Sequence, residues 1–351
     1  MKVPFNDLSR IHNPLRGEFH KVLDHVLDTS AYVNDTTFAE AFAKYTGSKH
    51  CVSCASGTDA LYIAIKALEL PSGSRIAVPA ISYAATAMAV VNAGHIPVFV
   101  DVHPFTGLML VDKVKDVDCV IPVHLYGQCV DISKLEHLGV PIIEDCAQAH
   151  GAKIEGTHVG RFGKIGCFSF YPGKNMGALG DAGACITDDP ELALKMKQYA
   201  SLGAPKHNRY EHNVDGINSR MDGMQGLFLC EKLKHFDDWT NDRIKVGTEY
   251  NKSGFFPPRS TVGRDVFHVY YTLQSNRDAY IKHMNANGVQ TGIHYPISLP
   301  ELECFKKFKS SCPNAKEFCE RCVSIPMFPK MTDEEVKITL ESHKNFVHQG
   351  F

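Results

Sequence analysis

Three short blocks combine residue types that do chemistry with positions where a folded chain exposes them. The first is Ala55-Ser56-Gly57-Thr58-Asp59-Ala60-Leu61. Small residues opening a helix leave backbone N–H groups and the positive end of the helix dipole facing outward. The Thr58 hydroxyl adds a donor, so the block suits a phosphate. Taken alone, an ordinary N-cap explains it as well. The second is Ile142-Ile143-Glu144-Asp145-Cys146-Ala147-Gln148-Ala149-His150. Two carboxylates end an apolar run, where open α/β sheets place ligands. A carboxylate there can hold a protonated ring nitrogen, or Glu144 or Asp145 can simply cap the next turn. The third is Phe168-Ser169-Phe170-Tyr171-Pro172-Gly173-Lys174-Asn175-Met176-Gly177-Ala178-Leu179-Gly180-Asp181. One lysine sits in a glycine-rich loop with aromatic and small neighbours. Desolvation lowers an amine's pKa and favours Schiff-base chemistry, and loop glycines let the backbone approach a ligand. On an open surface the same lysine is only a solvated charge.

Jointly the blocks supply a phosphate anchor, a partner for a cationic ring nitrogen and a covalent tether. That set is what pyridoxal 5'-phosphate (PLP) requires. The three together, in this order, are far more specific than any one.

The elements that must position these blocks are legible as alternation. Apolar runs at 75–79, 97–101, 119–123, 141–145, 166–170 and 183–187 read as short buried strands. Segments 57–70 and 83–94 read as helices between them, which predicts an α/β sheet covered on both faces and largely parallel. After residue 190 the texture changes. A long helix is expected over 221–251, then a turn around Pro257-Pro258, a strand over 268–275, a helix over 277–287 and a terminal amphipathic helix over 333–348. The division this suggests is an N-terminal helical segment (1–45), a large PLP-binding α/β domain (46–235) and a small C-terminal α+β domain (236–351). No internal repeat or low-complexity tract interrupts it.

A chain of 351 residues with 44% apolar content can bury one large core or two modest ones. Its net charge of −2 gives no general attraction for nucleic acid or acidic membranes. No apolar run approaches the roughly 18 residues needed to span a bilayer, and the first residues show no signal-peptide core, so a soluble cytoplasmic protein is expected. Most of the 12 cysteines sit in apolar segments as small buried hydrophobes. Cys51 and Cys54 fall in a predicted strand, where residues three apart face opposite ways. Cys319 and Cys322, with Cys304 and Cys312, lack paired zinc spacing. No metal is assigned.

The chain resembles the DegT/DnrJ/StrS sugar aminotransferases over nearly its whole length. The resemblance rests on the Ser56–Leu61 block, Pro79 with Tyr83-Ala84-Ala85-Thr86, Glu144-Asp145 with Gln148-Ala149-His150-Gly151, and Phe168-Ser169-Phe170 with Lys174-Asn175. It extends to Asn218-Ser219-Arg220-Met221-Asp222 and His294-Tyr295-Pro296. It implies the aspartate-aminotransferase fold, fold type I, with a mostly parallel central sheet and a smaller C-terminal α+β domain. It implies Lys174 as the Schiff-base and proton-shuttling lysine, Asp145 as partner of the pyridine nitrogen and Gln148 as partner of the phenolic oxygen. Tyr83 would stack on the cofactor, although a core aromatic is the ordinary alternative. Gly57, Thr58 and Ser169 would hold the phosphate. Asn218 resembles a residue that reaches the neighbouring subunit's phosphate, which implies a homodimer with a shared active site; a turn asparagine is the plain reading. Arg220 would meet substrate or pair with Asp222. His294 and Tyr295 would line the sugar side, or form a rigid loop. His124-Leu125-Tyr126-Gly127-Gln128 borders a strand end and receives no role.

Two departures stand out: Gly73-Ser74-Arg75 where an acidic turn is common, and a length shorter than many relatives. The implied reaction moves an amino group from glutamate to a nucleotide-linked keto-sugar. Lys174-containing loop residues 171–181 and segment 232–239 resemble relatives that aminate C3 of dTDP-3-keto-6-deoxyhexoses. UDP-2-acetamido-3-keto sugars and 4-keto sugars are the alternatives. A PLP-dependent sugar dehydratase is disfavoured because such relatives carry histidine at the lysine position. The intact Lys174, Asp145 and Gln148 set argues against a non-catalytic binding module. The absence of a G-x-G-x-x-G turn argues against a nicotinamide dehydrogenase.

Overall fold

The computed structural model describes residues 2–348 apart from 34–35, 206, 209 and 255. Three helices come first: α1 (Ser9–His12), α2 (Arg16–Thr29) and α3 (Thr37–Thr46). The alternating region follows as β1 (His50–Cys54), α4 (Gly57–Ala67), β2 (Arg75–Pro79), α5 (Ala85–Asn92), β3 (Ile96–Val100), β4 (Cys119–Val120) and β5 (Ile143–Asp145). A hairpin of β6 (Lys153–Ile154) and β7 (Thr157–His158) leads to β8 (Ile165–Ser169), β9 (Gly183–Thr187) and α6 (Pro190–Tyr199). The remainder is α7 (Gly223–Leu233), α8 (Phe236–Lys252), β10 (Tyr270–Leu273), α9 (Arg277–Ala286), α10 (Pro313–Arg321), β11 (Cys322–Ile325) and α11 (Asp333–His348).

Strand β2 pairs in parallel with β3 and β4, and β5 pairs in parallel with β8. Bridges Val120↔Ile142 and Val123↔Asp145 join β4 to β5, also in parallel. Strand β9 runs antiparallel between β8 and β1. The result is one sheet, β3-β2-β4-β5-β8-β9-β1, in which β9 alone is reversed. The expected mostly parallel α/β sheet is therefore present.

Strands β8 and β9 are buried along their whole length, so both faces need cover. Alternation divides their side chains between two cores. Cys167 and Cys185 join Ala60, Ala64 and Ile65 of α4 on one face. Phe168, Ala184 and Ile186 join Phe38 and Phe42 of α3 on the other. Ten cysteines are buried and all 12 are free thiols, which matches their reading as small apolar groups.

Several boundaries differ from the sequence expectation. The single helix over 221–251 is two, α7 and α8, broken at Lys234-His235. Helical periodicity continues through the break; it is packing that separates them, α7 against α2 and α3, α8 against α11. The strand expected over 119–123 keeps only two ladder residues. Strand β11, which pairs antiparallel with β10, was hidden in a cysteine-containing run too short to show alternation. The N-terminal segment packs on the C-terminal part of the chain: Val3 bridges Val289, and Arg10 pairs with Glu335 at 2.6 Å.

At the end of β5, Glu144 faces away from the crevice and ties distant backbone together. Its oxygens accept from the amides of Gly160 (2.7 Å), Phe162 (2.7 Å) and Gly163 (2.6 Å) and lie 2.9 Å from His124 Nε2. Burial pushes its pKa up, but His124 and these amides outweigh burial and hold it below 4.5. A depressed carboxyl contributes stability above its unfolded pKa and loses it as acid titrates the folded form. Glu144→Gln should therefore cost about 3 kcal/mol at neutral pH. Thermal melts should show a gap from the parent that closes progressively below pH 4.5; a constant gap would contradict this role.

Candidate active site

The C-terminal edge of the sheet opens into a cavity of about 570 Å³, a volume typical of small-molecule sites. Gly57, Thr58, Tyr83, Asp145, Gln148, Ser169, Lys174, His294 and Tyr295 all line it. Nine of the eleven site residues expected from the sequence are thus brought together from segments up to 238 positions apart (Gly57 to Tyr295; 295 − 57).

The phosphate end is built by α4. Ser56 caps the helix, its hydroxyl accepting from Asp59 N at 3.1 Å. The first-turn N–H groups at Gly57 and Thr58 have no preceding turn to bond. Gly57 is packed against β8 so closely that a Cβ would lie 2.5 Å from that of Ser169. Any side chain there would push β8 away or fill the cradle. Ser219 fastens this corner, its hydroxyl donating to Asp59 Oδ2 (2.7 Å) and accepting from Ala55 N (3.0 Å).

Asp145 follows Glu144 and so points the opposite way, into the cavity. One oxygen accepts from the Thr86 hydroxyl at 2.8 Å and the other from Ala147 N at 3.1 Å. Burial raises its pKa, opposed by Thr86, Ala147 and Lys174. A carboxyl held in this way ionises fully once a cation faces it. Thr86 is itself 2.8 Å from the Ser82 hydroxyl. Sequence reasoning gave Thr86 no role; its only signal was a place three residues after Tyr83, on the first turn of α5.

Lys174 sits in the β8–β9 loop, its N–H donating to Tyr171 O at 2.8 Å. The residue is half-buried at the cavity, and desolvation of its amine lowers its pKa to about 8, with Asp145 pulling upward. A substantial neutral fraction is therefore available near physiological pH. His150 is buried and His268 half-buried, and the pKa values of both fall well below 6.5, chiefly through burial and then through Lys174. They stay neutral beside the amine. His268 Nδ1 lies 2.9 Å from Asn175 Oδ1, which fixes the residue after the lysine.

Gln148 is held at both ends of its amide: Oε1 accepts from Tyr126 N (2.7 Å), and Nε2 donates to Tyr295 Oη (3.0 Å). The Nε2 group carries two N–H bonds, so one remains beyond that to Tyr295. Tyr83 is 62% exposed, so it is no core aromatic. Its ring faces Tyr295 at 6.1 Å, tilted 42°. On the outer wall the Phe5 ring stacks on His294 at 5.5 Å, and His294 Nδ1 lies 2.8 Å from Ser324 Oγ. Phe5 was missed because an aromatic near the chain start carries no pattern of its own.

Asn218 and Arg220 are not among the cavity residues. Both are exposed, on either side of buried Ser219, and Asn218 pairs with Ser201 in an isolated bridge. Arg220 makes no ion pair with Asp222 among the described residues. Glu144 is also excluded, being engaged behind the sheet. His124, Glu144 and Cys146 place ligand atoms within 4.8 Å of one another. Glu144 and His124 are already hydrogen-bonded there, Val130 N donates to His124 Nδ1 (3.1 Å), and burial holds the Cys146 thiol protonated.

A desolvated amine, a buried carboxylate and a helix-terminal cradle surround one cavity at the edge of an α/β sheet, the arrangement of a fold type I transferase. Residues 11–342 match the DegT/DnrJ/EryC1/StrS aminotransferase family, and the chain belongs to that family. It is 37% identical to a UDP-N-acetyl-3-dehydro-alpha-D-glucosamine 3-aminotransferase of Acidithiobacillus ferrooxidans, over 95% of both chains. It is 34% identical to a dTDP-3-amino-3,4,6-trideoxy-alpha-D-glucose transaminase of Streptomyces venezuelae, over 94% of this chain and 92% of that one. Among solved structures it superposes on S. venezuelae DesV in complex with a ketimine intermediate, with a TM-score of 0.93, 32% identity and 98% of each chain covered. NtdA from Bacillus subtilis, solved with bound cofactor PMP, gives a TM-score of 0.91 at 27% identity, covering 99% of this chain and 86% of that one.

The donor set fits PLP, and the Gly57 cradle gives the most direct check. Gly57→Ala places a Cβ 2.5 Å from the Ser169 Cβ. Equilibrium dialysis should show PLP retention weakened by about tenfold or more, since one lost phosphate contact is worth roughly 1.5–3 kcal/mol. Unchanged retention would move the phosphate elsewhere.

Proposed function

We propose that this chain binds PLP through Lys174 and transfers the amino group of glutamate to a keto carbon of a nucleotide-linked sugar. The observation that carries the reading is the desolvated Lys174 amine sharing one cavity with buried Asp145 and the α4 cradle. When bound, PLP supplies an electron sink that stabilises the carbanion formed at the amino-bearing carbon. Asp145 would hold the ring nitrogen's proton, and Thr86 and Ala147 keep the carboxylate aimed. Gln148 would donate its remaining N–H to the phenolic oxygen. Gly57, Thr58 and Ser169 would hold the phosphate. Lys174 Nζ, once free, takes and returns the proton at the reacting carbon; an amine near pKa 8 can do both. Tyr83, Tyr295 and His294 form the wall that meets the sugar.

The carbon aminated is C3 in this proposal, on a dTDP-3-keto-6-deoxyhexose. Loop 171–181 sets where Lys174 stands and so which sugar carbon reaches its amine, and a misplacement of about 1 Å costs roughly a hundredfold in rate. A UDP-linked 2-acetamido-3-keto sugar is the second reading, favoured by the 37% identical relative. No helix among the described residues is long and apolar enough to cross a membrane. Twelve free thiols suit a reducing compartment, and we place the protein in the cytoplasm.

Incubation with glutamate and a panel of dTDP- and UDP-linked 3-keto and 4-keto sugars decides these points. The purified protein should be yellow, bleached by glutamate, and form a 3-amino product by NMR. Lys174→Ala should lose covalent cofactor and turnover together. Clean 4-amination with no turnover of a 3-keto isomer would refute the C3 assignment.

We further propose a homodimer with shared sites. Asn218 and Arg220 are exposed on either side of buried Ser219 and outside their own cavity, which supports a role toward a second copy. Lys174→Ala subunits mixed with Asn218→Trp subunits should regain about a quarter of parental activity if one sound site forms per hybrid and hybrids make up half the population. No recovery in verified hybrids would count against the shared site.

A further inference from the structure

Lysine 232 is fully buried although it belongs to none of the groups that line the cavity. It lies in the last turn of α7 and donates from Nζ to the Gly177 carbonyl. The same Nζ lies 2.9 Å from His12 Nε2 and 5.9 Å from the centre of the Trp239 ring. Burial lowers its pKa to about 7, and no other influence contributes. Burial and then Lys232 also lower that of His12, to about 4, so the ring nitrogen is free to accept. A buried amine is costly to keep, and a leucine here would fill the space without that cost. Its two hydrogen-bond partners are His12 and the Gly177 carbonyl, and only the second belongs to the site.

That carbonyl belongs to the loop that carries Lys174. The loop folds back on itself, and a Cβ on Gly177 would lie 2.2 Å from the Pro172 carbonyl oxygen. Movement at Gly177 is therefore passed by contact to Pro172, two residues before Lys174. Seven residues earlier on the same face of α7, Gln225 Oε1 accepts from Leu179 N at 2.9 Å. Two polar side chains spaced i and i+7 thus grip the loop at 177 and 179.

We propose that Lys232 is a positioning residue: through the Gly177 carbonyl, α7 braces the Lys174 loop and fixes where the reacting amine stands. The proposal rests on the reading of Lys174 as the reacting amine. A second measurement, independent of that chemistry, keeps the two separable. Lys232→Met removes the donor at similar volume; Lys232→Gln keeps a polar group that falls one bond short; Lys232→Arg retains an N–H within reach.

In the full chain, with and without added PLP, hydrogen exchange is followed at the amides of Lys174, Ala178 and Leu179, with Ile186 of β9 as control. The Met variant should exchange the loop amides about tenfold faster with Ile186 unchanged. Its kcat should fall about ten- to a hundredfold while KM for glutamate stays within about twofold. Arginine should restore both. If the Met variant does not fold, the Gln variant is scored by the same amides. Loop amides that exchange as in the parent, or a rise shared equally by Ile186, overturn the brace. Failure of Lys174→Ala to lose covalent PLP would overturn the underlying reading and leave the exchange result standing.

Discussion

At the end of β5 adjacent side chains must point to opposite faces of the sheet, and two carboxylates side by side in sequence are both buried there. A buried charge needs compensation close at hand. Glu144 finds it in three backbone amides and His124, and in doing so fixes the segment through Gly163 that leads into β8. Asp145 receives only a hydroxyl and one amide, and its pKa stays raised. The incomplete compensation is what leaves Asp145 able to answer a cation in the cavity. One strand thus builds the support of the site with one residue and its chemistry with the next.

The same inequality governs Lys174. Its amine is desolvated without an ion pair among the described residues, beside neutral histidines and with Asp145 as the opposing charge. In water such an amine would be almost wholly protonated at neutral pH. Here a usable part is neutral, which a nucleophilic and proton-carrying amine requires. The cost is met elsewhere, in the aromatic and apolar packing behind β8, where Phe42, Phe168 and Phe170 interlock within 5.2 Å. A loop cannot hold a desolvated amine by itself. It needs α4 and β8 beneath it and α7 alongside.

In the proposed function, substrate choice lives on a different part of the cavity. The cofactor end of the cavity comes from the strand–helix repeats before residue 190. The wall proposed to meet the sugar, Tyr83, His294 and Tyr295 with Phe5 stacked on His294, is drawn from three separate segments. Relatives of similar identity bear names with different nucleotides and different sugar substituents. On that proposal, a common cofactor end with a wall drawn from three separate segments would account for that variety without any change in fold.

Sequence alone determined the alternating elements, the mostly parallel sheet and the three blocks that meet at its edge. Each is local: a strand's apolar run, a helix opened by small residues, a glycine-rich loop with one lysine. Local patterns survive because hydrogen bonding and burial are decided over a few residues. What only the tertiary structure decided were relations between distant segments. Whether Glu144 or Asp145 faces the crevice depends on which side of the sheet is solvent-open. That Thr86 supports Asp145, that Phe5 stacks on His294, and that Asn218 and Arg220 stand outside their own cavity are facts of packing across 59, 289 and more positions. The break between α7 and α8 leaves no trace in periodicity either, because the two helices diverge only where they meet different partners. Side-chain periodicity encodes which face is buried; it carries no information about what that face is buried against.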